Sequence, residues 1–300
     1  MSEDVDRRAF LRLTGLAGVT AVLGPGLLEA CGGSTSGGES TLDRARKAGT
    51  IRVGFANEAP YGFADTSGKL SGEAPTVAAE IMKALGVAKL EGVLTEFGAL
   101  IPGLLANRFD MIAAGMFITP PRCKQVLFSN PDYVATEALA VKSGNPEHIT
   151  DYGSIAKNSR VTVGAESGAV EGGWLQDSGV PMSRIQLLPN GPTGMQSLAS
   201  GRIQAFALTS ISLQYLLKTG GYSGLEVTEP FIPVVKGQKQ TSAGGYGFRK
   251  SDAQLVNSFN AKLADLQKGG RLQQLVEPFG FTGQTITGAV GLTAQQACKG

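Results

Sequence analysis

Residues 92–114 read GVLTEFGALIPGLLANRFDMIAA and contain the alternation that decides the fold. The stretch predicts a strand over residues 92–96, a helix over residues 100–107 and another strand over residues 111–114. A strand, a helix and a strand in succession imply parallel pairing, because the chain must cross back over the sheet between the two strands. The stretch therefore predicts an α/β fold.

The same alternation extends along the chain on both sides of this stretch. Before it, a strand over residues 51–55 lies between helices over residues 41–49 and 75–85. After it, the plan is repeated, with strands over 160–164, 185–188 and 205–208 and helices over 170–178, 194–200 and 211–218. A strand over 244–248 and helices over 252–268 and 272–278 complete the pattern.

The order of these elements predicts two α/β lobes joined by a hinge of two chain crossings. Lobe 1 is expected to comprise residues 45–141 with 247–300, and lobe 2 residues 142–246. The first crossing is placed where the apolar residues 138–141 lead into Lys-Ser-Gly-Asn-Pro. Ligands of open α/β sheets bind beyond the carboxyl ends of the strands. The predicted site is therefore the cleft between the lobes, where closure would bury a ligand.

The N-terminal residues predict export and attachment to a membrane. Arg7-Arg8 precede an apolar, glycine-rich stretch over residues 13–28, which is the layout of a twin-arginine signal. A small residue precedes Cys31, as at a lipoprotein cleavage site. We expect a signal over residues 1–30, lipidation of Cys31 and a flexible tether over residues 31–44. The mature chain would be periplasmic or held by its lipid at the outer face of the cell membrane. An ordinary exported protein with a cysteine near its start is the alternative.

The charge balance argues against a nucleic-acid-binding protein. Of 27 basic and 25 acidic side chains, three and four lie in residues 1–30, which leaves 24 and 21 in the mature chain. Such a near-neutral chain has no basic stripe of the kind that a phosphate backbone requires. No later segment is long and apolar enough to span a membrane. The mature length of about 270 residues suits two lobes of ordinary size.

Two cysteines remain once Cys31 is assigned to lipidation. In an oxidising compartment Cys123 and Cys298 are expected to form a disulfide that pins the C-terminal tail to lobe 1. Closing so long a loop would contribute roughly 4 to 5 kcal/mol on the chain-entropy estimate. Two independent buried thiols are the alternative.

Three segments resemble the polar amino-acid-binding family of ABC solute receptors. They are Ile-Arg-Val-Gly at 51–54, Ala-Gly-Met-Phe-Ile-Thr-Pro-Pro-Arg at 114–122 and Leu-Val-Glu-Pro-Phe-Gly-Phe at 275–281. The resemblance covers residues 45–283. It implies a periplasmic binding protein type II fold, a small zwitterionic solute as ligand, an ABC permease as partner and no catalytic activity. In that family the arginine at the position of Arg122 binds the ligand carboxylate.

A closer resemblance is to the ectoine/hydroxyectoine-binding subgroup. It is carried by ANEAPY at 56–61, EFGALIPGL at 96–104 and GMFITPPRC at 115–123, and the two cysteines agree with it as well. The resemblance implies an aromatic box at Tyr61, Phe97 and Phe117 with polar partners at Glu58, Arg122 and Glu171.

The chemistry of ectoine fits such a site. Ectoine is a cyclic amidinium that carries a carboxylate, so its positive charge is delocalised and weakly hydrated. An aromatic face is worth ~0.5 to 2 kcal/mol to a cation. The planar guanidinium of Arg122 can hold a carboxylate through two hydrogen bonds, and Glu58 and Glu171 can accept from the amidinium N–H groups. Thr209 is the seventh residue predicted to bind the ligand. Amino-acid receptors of the family carry an aspartate at its position, and the replacement disfavours a ligand with a full ammonium group.

Each of these residues also has an ordinary structural interpretation. Tyr61 and Phe97 could be core aromatics, Arg122 a surface ion-pair residue, and Glu171 an acid that stabilises the dipole of the helix it opens. A receptor for a polar amino acid or another zwitterion is the alternative function. A cyclohexadienyl/arogenate dehydratase-like enzyme with Glu171 as general acid is a further one. We expect no catalytic residue, cofactor or metal, and a monomer.

Overall fold

Strands and helices alternate along the chain in the order that the sequence predicts. The computed structural model describes residues 39–240 and 242–299. The signal expected over residues 1–30 and the lipidation site at Cys31 lie outside the described residues.

The elements are short and regularly spaced. The strands are β1 (Thr50–Phe55), β2 (Phe63–Ala64), β3 (Leu70–Ser71), β4 (Lys89–Leu94), β5 (Met111–Phe117), β6 (Leu127–Phe128), β7 (Tyr133–Val134), β8 (Glu137–Lys142), β9 (Val163–Glu166), β10 (Ile185–Leu188), β11 (Ala205–Thr209), β12 (Leu225–Val227), β13 (Val234–Val235), β14 (Gln238–Lys239) and β15 (Ala243–Phe248). The helices are α1 (Thr41–Ala48), α2 (Glu73–Ala84), α3 (Leu100–Leu105), α4 (Pro120–Cys123), α5 (Tyr152–Lys157), α6 (Glu171–Asp177), α7 (Gly191–Ala199), α8 (Ser210–Thr219), α9 (Ala253–Lys268), α10 (Arg271–Val276), α11 (Gln284–Thr287) and α12 (Ala294–Ala297). Of the helices described here, none has the length and apolar character needed to cross a membrane.

The first sheet is mixed and has the strand order β4–β1–β5–β15–β6, with β7 also paired to β15. β1 lies between β4 and β5 and is parallel to both, as expected from the strand–helix–strand stretch. β15 returns from the second half of the chain and pairs antiparallel with β5. Helices α2 and α9 pack against this sheet through buried apolar side chains such as Val77, Ile81 and Phe259. The periodicity of α2 and α9 thus reflects one face turned toward the core of lobe 1.

The second sheet has the strand order β10–β9–β11–β8–β12. β9 pairs in parallel with β10 and β11, and β8 runs antiparallel to β11 and β12. β8 and β11 are almost wholly apolar and buried, because helices cover the sheet. Each sheet therefore has its own core, as two lobes require.

The lobe boundaries expected from the sequence need correction at both crossings. The sequence pattern assigns residues 138–141 to lobe 1, yet β8 pairs within the second sheet, so the first crossing precedes Glu137. The pattern also assigns residues up to 246 to lobe 2, yet β15 already pairs in the first sheet from Ala243. An apolar run shows that a strand is buried and does not show which of two buried sheets it joins.

Helix α1 begins inside the segment expected to be a tether. Its first turn is capped by Ser40, whose hydroxyl accepts from the Asp43 N–H, and it ends at Gly49 in the left-handed region, with φ of 69°. Leu42 is buried in the core of lobe 1. Residues 41–44 thus belong to the folded lobe, and the predicted tether of residues 31–44 is too long by these residues.

The disulfide between Cys123 and Cys298 is confirmed. The two Cα atoms are 5.9 Å apart, across a sequence separation of 175 residues. Cys123 ends α4 and Cys298 follows α12, and both side chains pack on the same apolar cluster of lobe 1. The bond therefore ties the C-terminal tail to lobe 1, as expected.

Candidate functional site

The carboxyl ends of the parallel strands in lobe 1 bring four predicted residues to one edge of the sheet. Glu58 follows β1, Phe97 follows β4, and Arg122 lies in α4, which follows β5. Phe117 is the last residue of β5 itself. Strand ends of this kind form the binding edge of open α/β sheets, because side chains there are no longer enclosed by the layers of helices.

Lobe 2 presents its own strand ends to the same space. Glu166 ends β9 and Thr209 ends β11. Glu137 begins β8 and pairs with Thr209, because β8 runs antiparallel to β11. Glu171 opens α6, five residues after the end of β9. The second lobe therefore contributes three carboxyl groups and one hydroxyl at its edge.

A small cavity between the lobes is lined by six of the seven residues predicted to bind ligand. Its walls are Glu58, Phe97, Gly115, Phe117, Arg122, Ala169, Val170, Glu171, Leu208 and Thr209. Its volume is about 20 Å³, which is room for a single water-sized group. A solute the size of an amino acid therefore needs the lobes to move apart before it can enter.

Tyr61 is the remaining predicted residue, and its ring is not among the walls of this cavity. The ring packs in the core of lobe 1, with centroids 5.1 Å from those of both Tyr133 and Phe281. It lies directly behind Gly115, where a Cβ atom would come within 2.2 Å of the ring. The tight turn from Glu58 to Gly62 directs the Glu58 carboxyl toward the cleft and Tyr61 toward the core. The identity of a turn residue does not reveal which way it points.

Arg122 crosses the cleft from lobe 1 to lobe 2. Its Nη1 donates to the Phe117 carbonyl at 2.8 Å, and its Nη2 donates to the Gly168 carbonyl of lobe 2 at 3.0 Å. The guanidinium carbon also lies 5.3 Å from the centroid of the Phe97 ring. Since a guanidinium has five N–H donors, these bonds leave others for an anionic group in the cavity.

Further contacts join the two lobes around the cavity. Ser212 of α8 donates its hydroxyl to the Glu58 carboxyl at 3.1 Å. Trp174 of α6 stacks on Phe117, with ring centroids 6.3 Å apart and planes inclined by 27°. Gly168 meets Gly98 so closely that a Cβ atom on Gly168 would lie 2.4 Å from the Gly98 Cα. The structure is therefore a closed form of the cleft.

Glu58 and Glu171 line the cavity, and two further carboxyl groups beside them, those of Glu137 and Glu166, escape the sequence analysis. Glu137, Glu166 and Glu171 are buried, and Glu58 keeps some exposed surface although its carboxyl group faces the cavity. Glu137 and Glu166 were missed because their strands are predicted to begin or end a few residues away. If the predicted strand had extended to residue 166, it would have placed Glu166 at the binding edge. Among the described residues, no group of three or more His, Cys, Asp or Glu side chains is arranged to hold a metal ion.

Burial raises the pKa of every carboxyl in this cluster. Burial and then the neighbouring Glu171 raise the pKa of Glu58 to about 8. Burial raises the pKa of Glu171 to about 7, against the opposing effects of a backbone N–H and Arg122. Burial, with Glu58 and Glu171 nearby, raises the pKa of Glu166 to about 10, and burial raises the pKa of Glu137 well above its usual range. One guanidinium is too little positive charge for four ionised carboxylates.

These shifts predict how stability depends on pH. A carboxyl whose pKa is higher in the folded than in the unfolded chain binds more protons when folded. Its contribution to the free energy of unfolding is complete below the usual pKa of 4.5 and is lost as the pH rises through about 7 for Glu171 and about 8 for Glu58. The solute-free protein should therefore melt several degrees lower at about pH 8 than at about pH 5. Thermal unfolding followed by circular dichroism tests this, and a higher melting temperature at the alkaline end would contradict it.

The comparisons with known sequences point to one family. Residues 51–282 match the bacterial extracellular solute-binding proteins, family 3. A probable amino-acid ABC transporter periplasmic-binding protein of Sinorhizobium fredii is 33% identical over 265 residues, with 87% of each chain covered.

Two solved structures share the fold over most of their length. EhuB in complex with hydroxyectoine is 36% identical with a TM-score of 0.79, and the match covers 86% of this chain and 97% of EhuB. AncCDT-1, an ancestral amino acid-binding protein and precursor of cyclohexadienyl dehydratase, is 29% identical with a TM-score of 0.69. That match covers 80% of this chain and 99% of the ancestral protein.

Proposed function

Because the chain belongs to the bacterial extracellular solute-binding proteins, family 3, we propose that its cleft captures ectoine and hydroxyectoine. The chain has the two-lobed α/β fold of type II periplasmic binding proteins, as its sequence predicts. It is the solute-binding component of an amino-acid-type ABC importer, which implies a permease as its partner. Our proposal goes beyond this family assignment by naming the solute.

The observation that carries the proposal is the set of chemical groups on one cavity. Phe97 and Phe117 offer ring faces, Arg122 offers a guanidinium, and Glu58 and Glu171 offer carboxyl oxygens. A ring face attracts a weakly hydrated cation, a guanidinium holds a carboxylate, and carboxyl oxygens accept from amidinium N–H groups. A compact molecule with both a delocalised cation and a carboxylate satisfies all of these groups together. The hydroxyectoine bound to EhuB adds support for this choice.

The cross-cleft contacts support a closing mechanism. The solute would first dock on lobe 1, against Phe97, Phe117 and Arg122. Lobe 2 would then close and bring Glu171 and the backbone N–H groups of residues 167–170 onto the solute. Solute binding shifts the balance toward the closed form because only that form makes both sets of contacts. The permease would recognise the closed form.

The remaining features of the proposal concern where the protein acts. We propose export through a twin-arginine signal, lipidation at Cys31 and action as a monomer at the outer face of the cell membrane or in the periplasm. We also propose that the protein has no catalytic activity. The precursor relation of AncCDT-1 to cyclohexadienyl dehydratase makes prephenate and arogenate the relevant substrates for a turnover assay, and turnover of either would overturn that part.

One observation favours a second solute class, the cationic amino acids. Glu137 and Glu166 add two buried carboxyls beyond those that an amidinium needs, and neither faces a cation of its own among the described residues. An α-amino acid with a charged side chain would bring a second positive group to the cluster. Thr209 stands at the position where such receptors carry an aspartate, and Glu166 would have to replace it.

Calorimetric titration separates these solutes. We expect heat and micromolar binding with ectoine or hydroxyectoine, and none with glutamine or glycine betaine. Replacing Phe97 with leucine removes a ring face and should weaken ectoine binding by about two- to thirtyfold. Phe279→Leu is the matched control and should leave the affinity unchanged, because Phe279 packs on the core of lobe 1 and does not line the cavity. No heat with ectoine and tight binding of arginine would overturn the ectoine assignment and leave the receptor class in place.

A further inference from the structure

We infer that closure of the cleft over its solute takes up protons, which neutralise the carboxyl groups that neither Arg122 nor the solute cation can pair with. The inference rests on the proposed function, since it concerns the same cleft. It extends that function by making solute capture sensitive to pH. The groups involved are Glu58, Glu137, Glu166 and Glu171, called here the carboxyl cluster.

The charges in the closed cleft do not balance without protons. The carboxyl cluster contributes four acidic groups and a zwitterionic solute adds a fifth. Against these stand the Arg122 guanidinium and the cation of the solute. Within the described residues, no member of the carboxyl cluster forms an ion pair. Since an ionised carboxylate buried without a partner costs several kcal/mol, such a group takes up a proton instead.

The hydrogen bonds of the cluster point the same way. Both carboxyl oxygens of Glu166 are buried and without a hydrogen-bond partner among the described residues. One oxygen each of Glu137 and Glu171 is in the same state. Glu137 accepts from the Tyr152 hydroxyl at 3.2 Å, and its carboxyl group is within hydrogen-bonding reach of the Glu171 carboxyl, a contact that requires a proton on one of the two. A carboxylate needs several donors to remain charged in the interior, and this cluster lacks them.

The other titratable groups around the cluster cannot supply the missing charge. Tyr61 and Tyr133 lie near the carboxyl cluster in lobe 1, and Tyr152 lies near it in lobe 2. Burial raises the pKa of all three phenols well above the usual range, so their hydroxyl groups remain neutral. Glu73 is a further acid and forms a separate buried pair with Asp132 in lobe 1. Among the described residues, Arg122 is the cation whose charge lowers the pKa values of Glu58 and Glu171. Protons from solvent are therefore the remaining source of compensation.

Opening the cleft reverses this situation. Entry of a solute requires the cavity walls to separate, which returns Glu58 and Glu171 to water, where a carboxyl is ionised at neutral pH. Closure then moves protons from the solvent onto the cluster. By linkage, each proton taken up makes solute affinity about tenfold weaker for every unit of rising pH. Carboxyl groups of the cluster that are already protonated in the open form take up no proton on closure. The net number of protons taken up is therefore smaller than the number of carboxyl groups without an ion-pair partner.

Calorimetry with ectoine in phosphate and in Tris at one pH measures the net protons exchanged. We expect uptake of about one proton or more, and an affinity that weakens by about a hundredfold from pH 6 to pH 8 for each proton. Binding heats that do not depend on the buffer, with a flat affinity, would overturn the inference, and so would proton release. If ectoine gives no heat and L-arginine does, the proposed solute is wrong and the same measurement with arginine decides the coupling.

A second measurement needs no solute. Trp174 is the single tryptophan of the chain, and it stacks on Phe117 across the closed cleft. The solute-free protein should show a blue shift of tryptophan emission as the pH falls from about 8 to about 6, because protons favour the closed form. Glu171→Gln places a neutral group of the same shape on a cavity wall that opening returns to water, and it should reduce both this shift and the proton uptake. Glu91→Gln, on the exposed edge strand β4, is the control and should leave both unchanged. An emission spectrum independent of pH would overturn the inference even if Glu171→Gln did not fold.

Discussion

Replacing Gly168 with alanine should hold the cleft open and weaken solute binding by about a hundredfold, or about 2.7 kcal/mol. In the closed form a Cβ atom at this position would lie 2.4 Å from the Cα and 2.8 Å from the N of Gly98 in the other lobe. Both atoms belong to the backbone, so neither can turn away as a side chain would. Forcing extra atoms into such a contact typically costs 1–3 kcal/mol, and only closure brings the two lobes into it.

Two other glycines separate this effect from simple strain. Gly168 has φ of +83°, so alanine would also strain the backbone in both the open and the closed form. Gly144→Ala, with φ of +78° and no atom within 4 Å, should reproduce that loss of stability and leave affinity unchanged. Gly98→Ala would meet lobe 2 at an ordinary 3.5 Å and should bind nearly as the native chain does. The emission shift of Trp174 should disappear in Gly168→Ala alone. Native affinity in that variant would mean that the lobes do not meet as described.

Replacing Arg122 with alanine should weaken solute binding by at least tenfold and, given its hydrogen bond to lobe 2, by about a hundredfold. The change removes the partner of the solute carboxylate, the cross-cleft bond to the Gly168 carbonyl and the cation above the Phe97 ring. It also leaves the nearby carboxyls Glu58 and Glu171 without the positive charge that lowers their pKa values. Calorimetric titration with ectoine measures the loss.

The choice of control identifies which property of Arg122 matters. Arg122→Lys keeps the charge and loses the planar fork, so its affinity should fall between those of the native and alanine chains. Arg160→Ala removes an exposed arginine paired with Glu147 at the far side of lobe 2, and should have no effect. If Arg122→Ala bound ectoine as tightly as the native chain, Arg122 would not belong to the site.

Local pattern was sufficient to predict the elements and most of the site. The strand–helix–strand stretch forms β4, α3 and β5, and both strands pair in parallel with β1. Periodicity and chain connectivity restrict such a segment to few arrangements. Glu58, Phe97, Phe117 and Arg122 follow from their places at strand ends and from a family resemblance. The disulfide follows from the expected compartment and from the two cysteines that remain.

Packing between distant segments decided the rest. Whether β8 joins the first or the second sheet depends on its partners β11 and β12, which lie far along the chain. Tyr61 faces the core because Tyr133 and Phe281 provide a buried place for its ring, and neither is near it in sequence.

The sequence by itself determined the fold class, the order of the lobes and the residue types at the binding edge, since these depend on short-range periodicity. Only the tertiary structure decided that four carboxyls share one cleft with one guanidinium, and that Gly98 and Gly168 touch across it. Burial and electrostatic energies depend on which groups converge in space, and no local pattern records that convergence.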